Sequence, residues 1–265
     1  YFKKNKSISD RRTHIEPLIE EEFDDIEEVI DEEPYIFVLS KNNWIQFIKG
    51  HENFKAIKYK DGDQEKFIKL VKNTDKLLLA SNSGRIYTLS LSNIIINKGF
   101  GSPLRLFIDL PSEDSIEVIN LFNMQQKMLV ASSGYKGFII PNMESLLAYT
   151  KLGKNVLDVS PGEKLVVFKP VSQEDDSIAI IGENHKLLIF KISEMALQNK
   201  GKGVILQKAK QGKLTDIQTF VFSEGITCKR ENSTKIFNDL ELWLGKRAQS
   251  GRLAPRGFPR SNRFS

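Results

Sequence analysis

The chain has 265 residues, of which 40% are hydrophobic and 28% charged, with a formal net charge of +5. This composition is typical of a soluble globular protein, and the apolar runs are far shorter than the roughly 20 residues that cross a bilayer as a helix. The single cysteine, Cys228, excludes an intramolecular disulfide, so we expect a cytoplasmic protein without a membrane anchor. The absence of an initiator Met and of a secretory signal predicts a fragment of a longer cytoplasmic protein.

The first part of the chain is acidic and the remainder is basic. Residues 16–33 contain eleven Asp and Glu and no Lys or Arg, whereas residues 34–265 carry a net charge of +12. The acidic run is a solvated linker or a charged helix face on one interpretation. On the other it competes with nucleic acid for the basic remainder of the same molecule.

From Pro34 onward, one strand-turn-strand pattern recurs, in which a polar turn with Asn or Gly separates two apolar runs. Equivalent turns of the four clear copies are 41, 51 and 50 residues apart, which is the period of a propeller blade. Further apolar runs between copies bring each unit to about four strands, and short helices are expected over 143–149 and 193–198. The four clear copies and a degenerate fifth occupy residues 37–48, 77–89, 128–140, 178–190 and 226–237. The aromatic residues expected in the core of the first four are Trp44, Tyr87, Phe138 and Phe190.

Each copy is followed by a loop that combines Lys or Arg with Gly. Glycine lets backbone N–H groups approach a phosphate, and the cation supplies the charge. A single loop of this kind is an ordinary turn with solvated lysines, but recurrence at one position of every repeat favours a row of cations that suits DNA. The loops are residues 49–51, 97–101, 151–154, 199–203 and 245–247. The predicted DNA-binding residues are Lys49, His51, Lys55, Lys98, Arg105, Lys151, Lys154, Lys200, Lys202, Lys208, Lys210, Lys246, Arg247 and Arg252.

No catalytic or metal site is predicted. His14, His51 and His185 follow no metal-ligand spacing, and only one cysteine is present. No nucleotide-binding P-loop or nucleophile elbow occurs. The last 21 residues hold six Lys and Arg and no acidic residue, and they are either a disordered tail or an arm that contacts DNA.

Several motifs together resemble the C-terminal domain of the A subunit of bacterial type IIA topoisomerases, and topoisomerase IV more than gyrase. They are Asp10-Arg11-Arg12-Thr13 before the acidic run, Asn43-Trp44-Ile45 ending in Lys49-Gly50-His51, and Ser83-Gly84-Arg85-Ile86-Tyr87 followed by Lys98-Gly99-Phe100-Gly101. The resemblance implies an all-β β-pinwheel of about five four-stranded blades that exchange strands with their neighbours. It divides the chain into a linker (1–33) from a missing catalytic region, the blades (34–244), and a basic end of blade 5 with a C-terminal arm (245–265).

The resemblance also implies a function. The fragment would bind and bend double-stranded DNA, without cofactor of its own, for an enzyme whose other domains use ATP and Mg²⁺. Its partners would be the ATPase B subunit of that enzyme and the rest of the A chain, and we expect a monomeric, nucleoid-associated fragment. The basic box that defines gyrase, Gln-Arg-Arg-Gly-Gly-Lys-Gly, has no match here. The alternatives are a propeller-type scaffold for an acidic protein, a gyrase A wrapping domain, and a propeller enzyme with a central site.

Overall fold

The computed structural model describes residues 31–94, 99–230 and 233–264. Glu32–Ser265 form one compact unit. The predictions for residues 1–30, including most of the acidic run, and for Lys98 lie outside the described residues. No helix in the described ranges is long and apolar enough to cross a membrane.

The described residues form strands joined by turns and single-turn 3₁₀ helices. Two of the helices fall where short helices are expected, at Met143–Leu146 and Ile192–Glu194. The strands are β1 Pro34–Ser40, β2 Trp44–Lys49, β3 Glu65–Lys72, β4 Lys76–Ser81, β5 Arg85–Ser90, β6 Ser102–Pro103, β7 Ile116–Leu121, β8 Lys127–Ser132, β9 Lys136–Ile140, β10 Lys154–Asn155, β11 Leu165–Val171, β12 Ser177–Gly182, β13 Lys186–Lys191, β14 Val204–Ile205, β15 Leu214–Phe220, β16 Ile226–Arg230, β17 Ser233–Phe237 and β18 Arg252–Leu253. The other 3₁₀ helices are Phe54–Ala56, Leu91–Asn93, Leu104–Leu106, Phe222–Glu224 and Glu241–Trp243.

Four antiparallel sheets have the same order of four strands, and we call them blades 1 to 4. In chain order they are β3-β1-β2-β6, β10-β5-β4-β7, β11-β8-β9-β14 and β15-β12-β13-β18. Each of these blades contains three strands of its own repeat and a two-residue strand from the next repeat. We call β6, β10, β14 and β18 the exchange strands. The predicted exchange of strands between neighbouring blades is therefore present.

The fifth repeat has fewer strands in its own sheet than the other four. In the described residues, its own sheet is only the hairpin β16–β17, which we call blade 5, and it donates β18 to blade 4. The first repeat also departs from the rest, because eight residues join its 3₁₀ helix to β3, whereas 18 to 22 join the equivalent elements of repeats 2 to 4. Blade 1 therefore receives an exchange strand, and its short connection contains no strand to donate.

The first two strands of blades 1 to 4 are largely buried on both faces. On β4, Leu77 and Leu79 pack in a cluster with blade 1, while Leu78 and Ala80 pack in a cluster with blade 3. The same alternation places neighbouring residues of β8 and β12 in different clusters. This two-sided burial is the reason that the runs are continuously apolar instead of alternating with polar residues.

Three of the four aromatic residues predicted for the core are buried. Tyr87, Phe138 and Phe190 are fully buried between blades. The prediction for Trp44 is wrong, because this ring is only partly buried and the Lys60 ammonium lies 3.3 Å from its centroid. Trp44 begins β2 at the edge that receives the exchange strand β6, where solvent reaches one side of the ring.

A glycine with a left-handed backbone immediately precedes each exchange strand. At all four positions, a Cβ atom would lie 2.0–2.7 Å from a backbone oxygen of the blade that receives the strand. Any side chain there would push the exchange strand off its sheet. These glycines are 52, 50 and 48 residues apart in the sequence, and they are Gly101, Gly153, Gly203 and Gly251.

The strands at the other edge of each sheet surround a central cavity. β3, β7, β11 and β15 contribute lining residues to this cavity of about 880 Å³, and so do Ser261–Arg263 near the C-terminus. The buried Asp216 carboxylate accepts hydrogen bonds from the Lys169 ammonium at 2.6 Å and the Phe264 N–H at 3.0 Å. Phe258 and Phe264 are buried among residues of blades 4 and 5. The C-terminal residues are thus packed on the last two blades.

The exchange glycines yield a prediction for stability. Gly203→Ala forces a side chain into the backbone of Gly137 in a left-handed conformation, and we expect it to lower the free energy of unfolding by roughly 2–4 kcal/mol. The matched control is Gly62→Ala, which shares the left-handed backbone but has no atom within 4 Å of the added Cβ, and should cost only about 1 kcal/mol. Urea denaturation measures both, and equal losses would show that close packing at the exchange strand is unimportant.

Candidate nucleic-acid interface

The exchange strands place most of the predicted cations at one edge of each blade. Because β6, β10, β14 and β18 lie opposite the strands that line the cavity, we call this side the outer edge. Nine predicted residues lie on the exchange strands or on the loops beside them, are exposed, and form no ion pair with any described residue. Their charges are therefore available to an external anion. They are Arg105, Lys151, Lys154, Lys200, Lys202, Lys208, Lys210, Lys246 and Arg252.

The loop before β10 shows how the backbone fixes these cations. The Asp109 N–H donates to the Lys151 carbonyl at 2.9 Å, and the Arg85 guanidinium donates to the Leu152 carbonyl at 2.7 Å. The Lys151 and Lys154 ammonium groups donate to carbonyl oxygens at 2.8 and 3.1 Å, which leaves their charge unneutralised. The loop is held by residues of repeat 2, so the positions of the two cations are set by the fold.

Residues 49–51 do not occupy the position of the other basic loops. They lie directly at the end of β2, before the 3₁₀ helix Phe54–Ala56, whereas the other loops come after the equivalent helix. His51 is within 3.0 Å of the Val71 carbonyl through Nε2, and Lys55 lies on the 3₁₀ helix. The sequence alignment of this loop with the others is therefore wrong by one element, because repeat 1 lacks the long connection.

Lys49 also differs from the other predicted cations in its partner. Its ammonium pairs with the Glu33 carboxylate, and Lys72 pairs with Glu32 in the same way. The hydrogen bond from Lys49 lowers the pKa of Glu33, and the same bond raises the pKa of Lys49. The last two carboxylates of the acidic run thus neutralise two lysines of blade 1.

Arg247 has a structural role. Its backbone N–H and its Nε donate to Glu194, at 2.8 and 3.0 Å, and a terminal guanidinium nitrogen donates to the Ile205 carbonyl at 2.7 Å. These bonds join the loop before β18 to the end of β14. The guanidinium is therefore directed into the protein and only partly exposed.

The glycines of these loops fall into two groups. Gly99 and Gly201 have no heavy atom closer than 3.6 Å to an added Cβ. Gly153 and Gly203 instead abut the receiving blade, so their requirement for glycine comes from packing of the exchange strand. The Gly201 N–H donates to the Val156 carbonyl at 2.9 Å, so the predicted approach of a backbone N–H to phosphate does not apply to Gly201.

Three further cations at the outer edge were not among the predicted DNA-binding residues. Arg85, Lys136 and Lys186 each begin the second strand of a hairpin, beside the exchange strand that pairs with it. Each follows the turn residue that has a left-handed backbone, which is Gly84, Tyr135 or His185. A basic residue directly after this turn in repeats 2 to 4 was the available signal, whereas in repeat 1 the residue after Asn43 is Trp44.

In the described part of the chain, no three His, Cys, Asp or Glu side chains converge on a possible metal site. The polar groups that line the central cavity are of both signs, including Lys169 with Asp216 and Lys164 with Glu117. The nine cations at the outer edge, in contrast, have no carboxylate partner among the described residues.

Comparison with known proteins agrees with this architecture. No protein-family model matches the chain. The A subunit of DNA topoisomerase 4 from Rickettsia bellii is 40% identical over 266 aligned residues, which cover all of this chain and 36% of that protein. The chain thus spans about a third of the length of the curated relatives that it matches. The corresponding protein from Caulobacter vibrioides is 35% identical over 90% of this chain and 31% of its own length.

A solved structure supports the fold. The C-terminal domain of E. coli ParC superposes with a TM-score of 0.73 and 24% identity, covering 86% of this chain and 96% of that domain. This likeness confirms the β-pinwheel, and the sequence relatives confirm the resemblance drawn from the motifs. The chain belongs, over its whole length, with the C-terminal part of the A subunits of DNA topoisomerase IV.

Proposed function

We propose that this chain is a DNA-binding and DNA-bending accessory domain of a type II topoisomerase A subunit. The observation that carries the proposal is the row of nine exposed cations without carboxylate partners, presented at the outer edge of successive blades. Cations at fixed positions along one edge suit the phosphates of a duplex that follows that edge. Because neighbouring blades of a pinwheel are rotated relative to one another, a duplex that contacts several of them must bend.

The chemistry of strand passage belongs elsewhere in this proposal. The chain corresponds to about a third of its curated relatives, and the described residues contain no candidate metal centre. We propose that the remainder of the A subunit cleaves DNA and that an ATPase B subunit supplies ATP-driven movement with Mg²⁺. This domain would then hold the transported duplex for decatenation or relaxation in the bacterial cytoplasm.

One observation favours a second candidate, a scaffold for an acidic protein. A groove of about 570 Å³ beside β18 is lined by Leu242 and Trp243 together with the cations Lys208, Lys210 and Arg252. An acidic peptide with apolar side chains would match this combination. The two candidates differ in how binding depends on sequence and salt, because only a phosphate backbone releases condensed counterions.

The salt dependence of DNA binding tests the proposed function. If about five to seven cations contact phosphates, log K for random-sequence duplex should fall with log salt at a slope of roughly −4.5 to −6. Fluorescence anisotropy of a labelled duplex between low and physiological salt measures the slope. Measurable binding with a slope near zero would contradict the proposal and favour the protein scaffold.

The contribution of each basic loop to DNA binding depends on whether its lysines already have a carboxylate partner. Replacing Lys200 and Lys202 by Ala should weaken DNA binding and reduce the magnitude of the salt slope by about two, because each lysine neutralises about one phosphate. Lys49→Ala should have a smaller effect, because Glu33 already neutralises that lysine. The control is the double variant of Lys164 and Lys213, which line the central cavity. If this control weakens binding as much as the loop variant, the outer edge is not the binding surface.

The ion pairs of Glu32 and Glu33 predict that removing these two carboxylates strengthens DNA binding. Glu32→Gln with Glu33→Gln should free Lys72 and Lys49, tighten DNA binding by about two- to threefold at low salt, and make the slope steeper by about one or more. The exposed Glu113 and Glu174, changed together to Gln, control for net charge. Equal tightening by the two double variants would show that the observed ion pairs do not compete with DNA.

A further inference from the structure

Large apolar side chains project from the outer edge together with the cations. Apolar side chains this exposed remain in water after folding, so their grouping at one edge needs a reason other than the core. Most of the large hydrophobic residues that are exposed in the described ranges lie on the exchange strands or on the segments beside them. They are Phe100, Leu106, Tyr149, Leu152, Leu197, Ile205, Leu242, Leu244 and Leu253.

Three of these residues form one group, which we call the apolar projection. Tyr149 is 86% exposed, Leu152 is 62% exposed and Leu106 is 59% exposed. The Lys151 ammonium donates to the Leu106 carbonyl at 2.8 Å, which places the loop of Tyr149 and Leu152 next to Leu106. The group therefore combines two neighbouring crossovers beside blade 2, with Leu106 on the one shared with blade 1 and Tyr149 and Leu152 on the one shared with blade 3.

The projection is held rigidly instead of collapsing onto the protein. Besides the bonds to the carbonyls of Lys151 and Leu152, the Gly153 N–H donates to the Thr150 carbonyl at 3.1 Å. Gly153 itself abuts the backbone of β5 and is fixed in a left-handed conformation. A flexible loop could fold its leucine inward, whereas this one keeps Tyr149 and Leu152 in water.

Cations flank the projection along the chain. Arg105 precedes Leu106, Lys151 lies between Tyr149 and Leu152, and Lys154 begins the exchange strand. All three are exposed and lack a carboxylate partner among the described residues. Apolar side chains between cations match the minor groove of duplex DNA, where base steps that can be unstacked lie between two rows of phosphates. The strong projection of Tyr149 suits insertion better than it suits a flat protein contact.

We propose that Tyr149 and Leu152, supported by Leu106, form a wedge that enters the minor groove and kinks the duplex bound along the outer edge. Arg105, Lys151 and Lys154 hold the phosphates on either side of the inserted groups. The wedge converts a smooth path along blade 2 into a localised kink, and its only sequence preference comes from the ease of unstacking a base step. This inference rests on the proposed DNA binding.

Circular ligation with the full 265-residue chain tests the wedge. Duplexes of about 150 base pairs, near one persistence length, form circles rarely unless they are bent. At matched occupancy, Tyr149→Ser with Leu152→Ser should lower the circle yield about threefold or more relative to the unchanged protein. The salt slope should stay unchanged, because no cation is removed. Tyr149→Phe should retain the full yield.

The control is Met124→Ser, which removes a side chain of similar exposure, 60%, from the turn between β7 and β8. It should leave the circle yield unchanged, and equal thermal midpoints of all variants verify that they are folded. If the double Ser variant circularises DNA as well as the unchanged protein, or if its affinity and its salt slope both fall, the wedge is overturned. If the unchanged protein itself shows no salt-dependent binding, the proposed function fails, independently of the wedge.

Discussion

The pairing of each exchange strand with the preceding blade is the constraint on which the rest of the structure depends. No full blade completes its own sheet, and the pairing requires a glycine that abuts the backbone of the receiving strand. The same crossover carries the chain to the outer edge before it turns back to the strands around the cavity. Basic residues on that crossover are consequently brought to equivalent positions of successive blades. The charge pattern is thus a product of topology as well as composition.

The first and last repeats differ from the repeats between them in how they take part in strand exchange. Repeat 1 has no connection long enough to donate a strand, and blade 5 retains only its hairpin in the described residues. At the far end, the buried rings of Phe258 and Phe264 pack against blades 4 and 5, and the Asp216 carboxylate binds the Phe264 N–H. At the near end, Glu32 and Glu33 neutralise lysines of blade 1. Two lysines of blade 1 are thus neutralised, whereas the nine outer-edge cations of the later repeats have no carboxylate partner among the described residues.

The hairpins of blades 1 to 4 were predictable because two-sided burial leaves long apolar runs around a polar turn, whereas β17 of the degenerate copy is mostly exposed and its sequence is correspondingly polar. The exchange strands were not, because two residues such as Ser102–Pro103 carry no periodicity. The misalignment of residues 49–51 has the same cause, since only the crossover distinguishes that turn from the other loops. Ion pairs such as Lys49 with Glu33, and the inward direction of Arg247, depend on tertiary neighbours that spacing alone does not reveal. The position of the later basic loops could be predicted from the sequence, because loops at the same point of each repeat occupy the same place in each blade.

Site-specific crosslinking to DNA tests the central claim most directly, because the natural Cys228 is fully buried and a single introduced cysteine can be labelled alone. A photoreactive group would be placed at position 105, 154, 202 or 252 on the outer edge, and at 164 or 213 beside the cavity. We expect crosslinks to one duplex from all four outer positions, at contact points that advance along the DNA from blade to blade. The cavity positions should give few crosslinks. Crosslinks from the cavity positions with none from the outer edge would contradict the central claim.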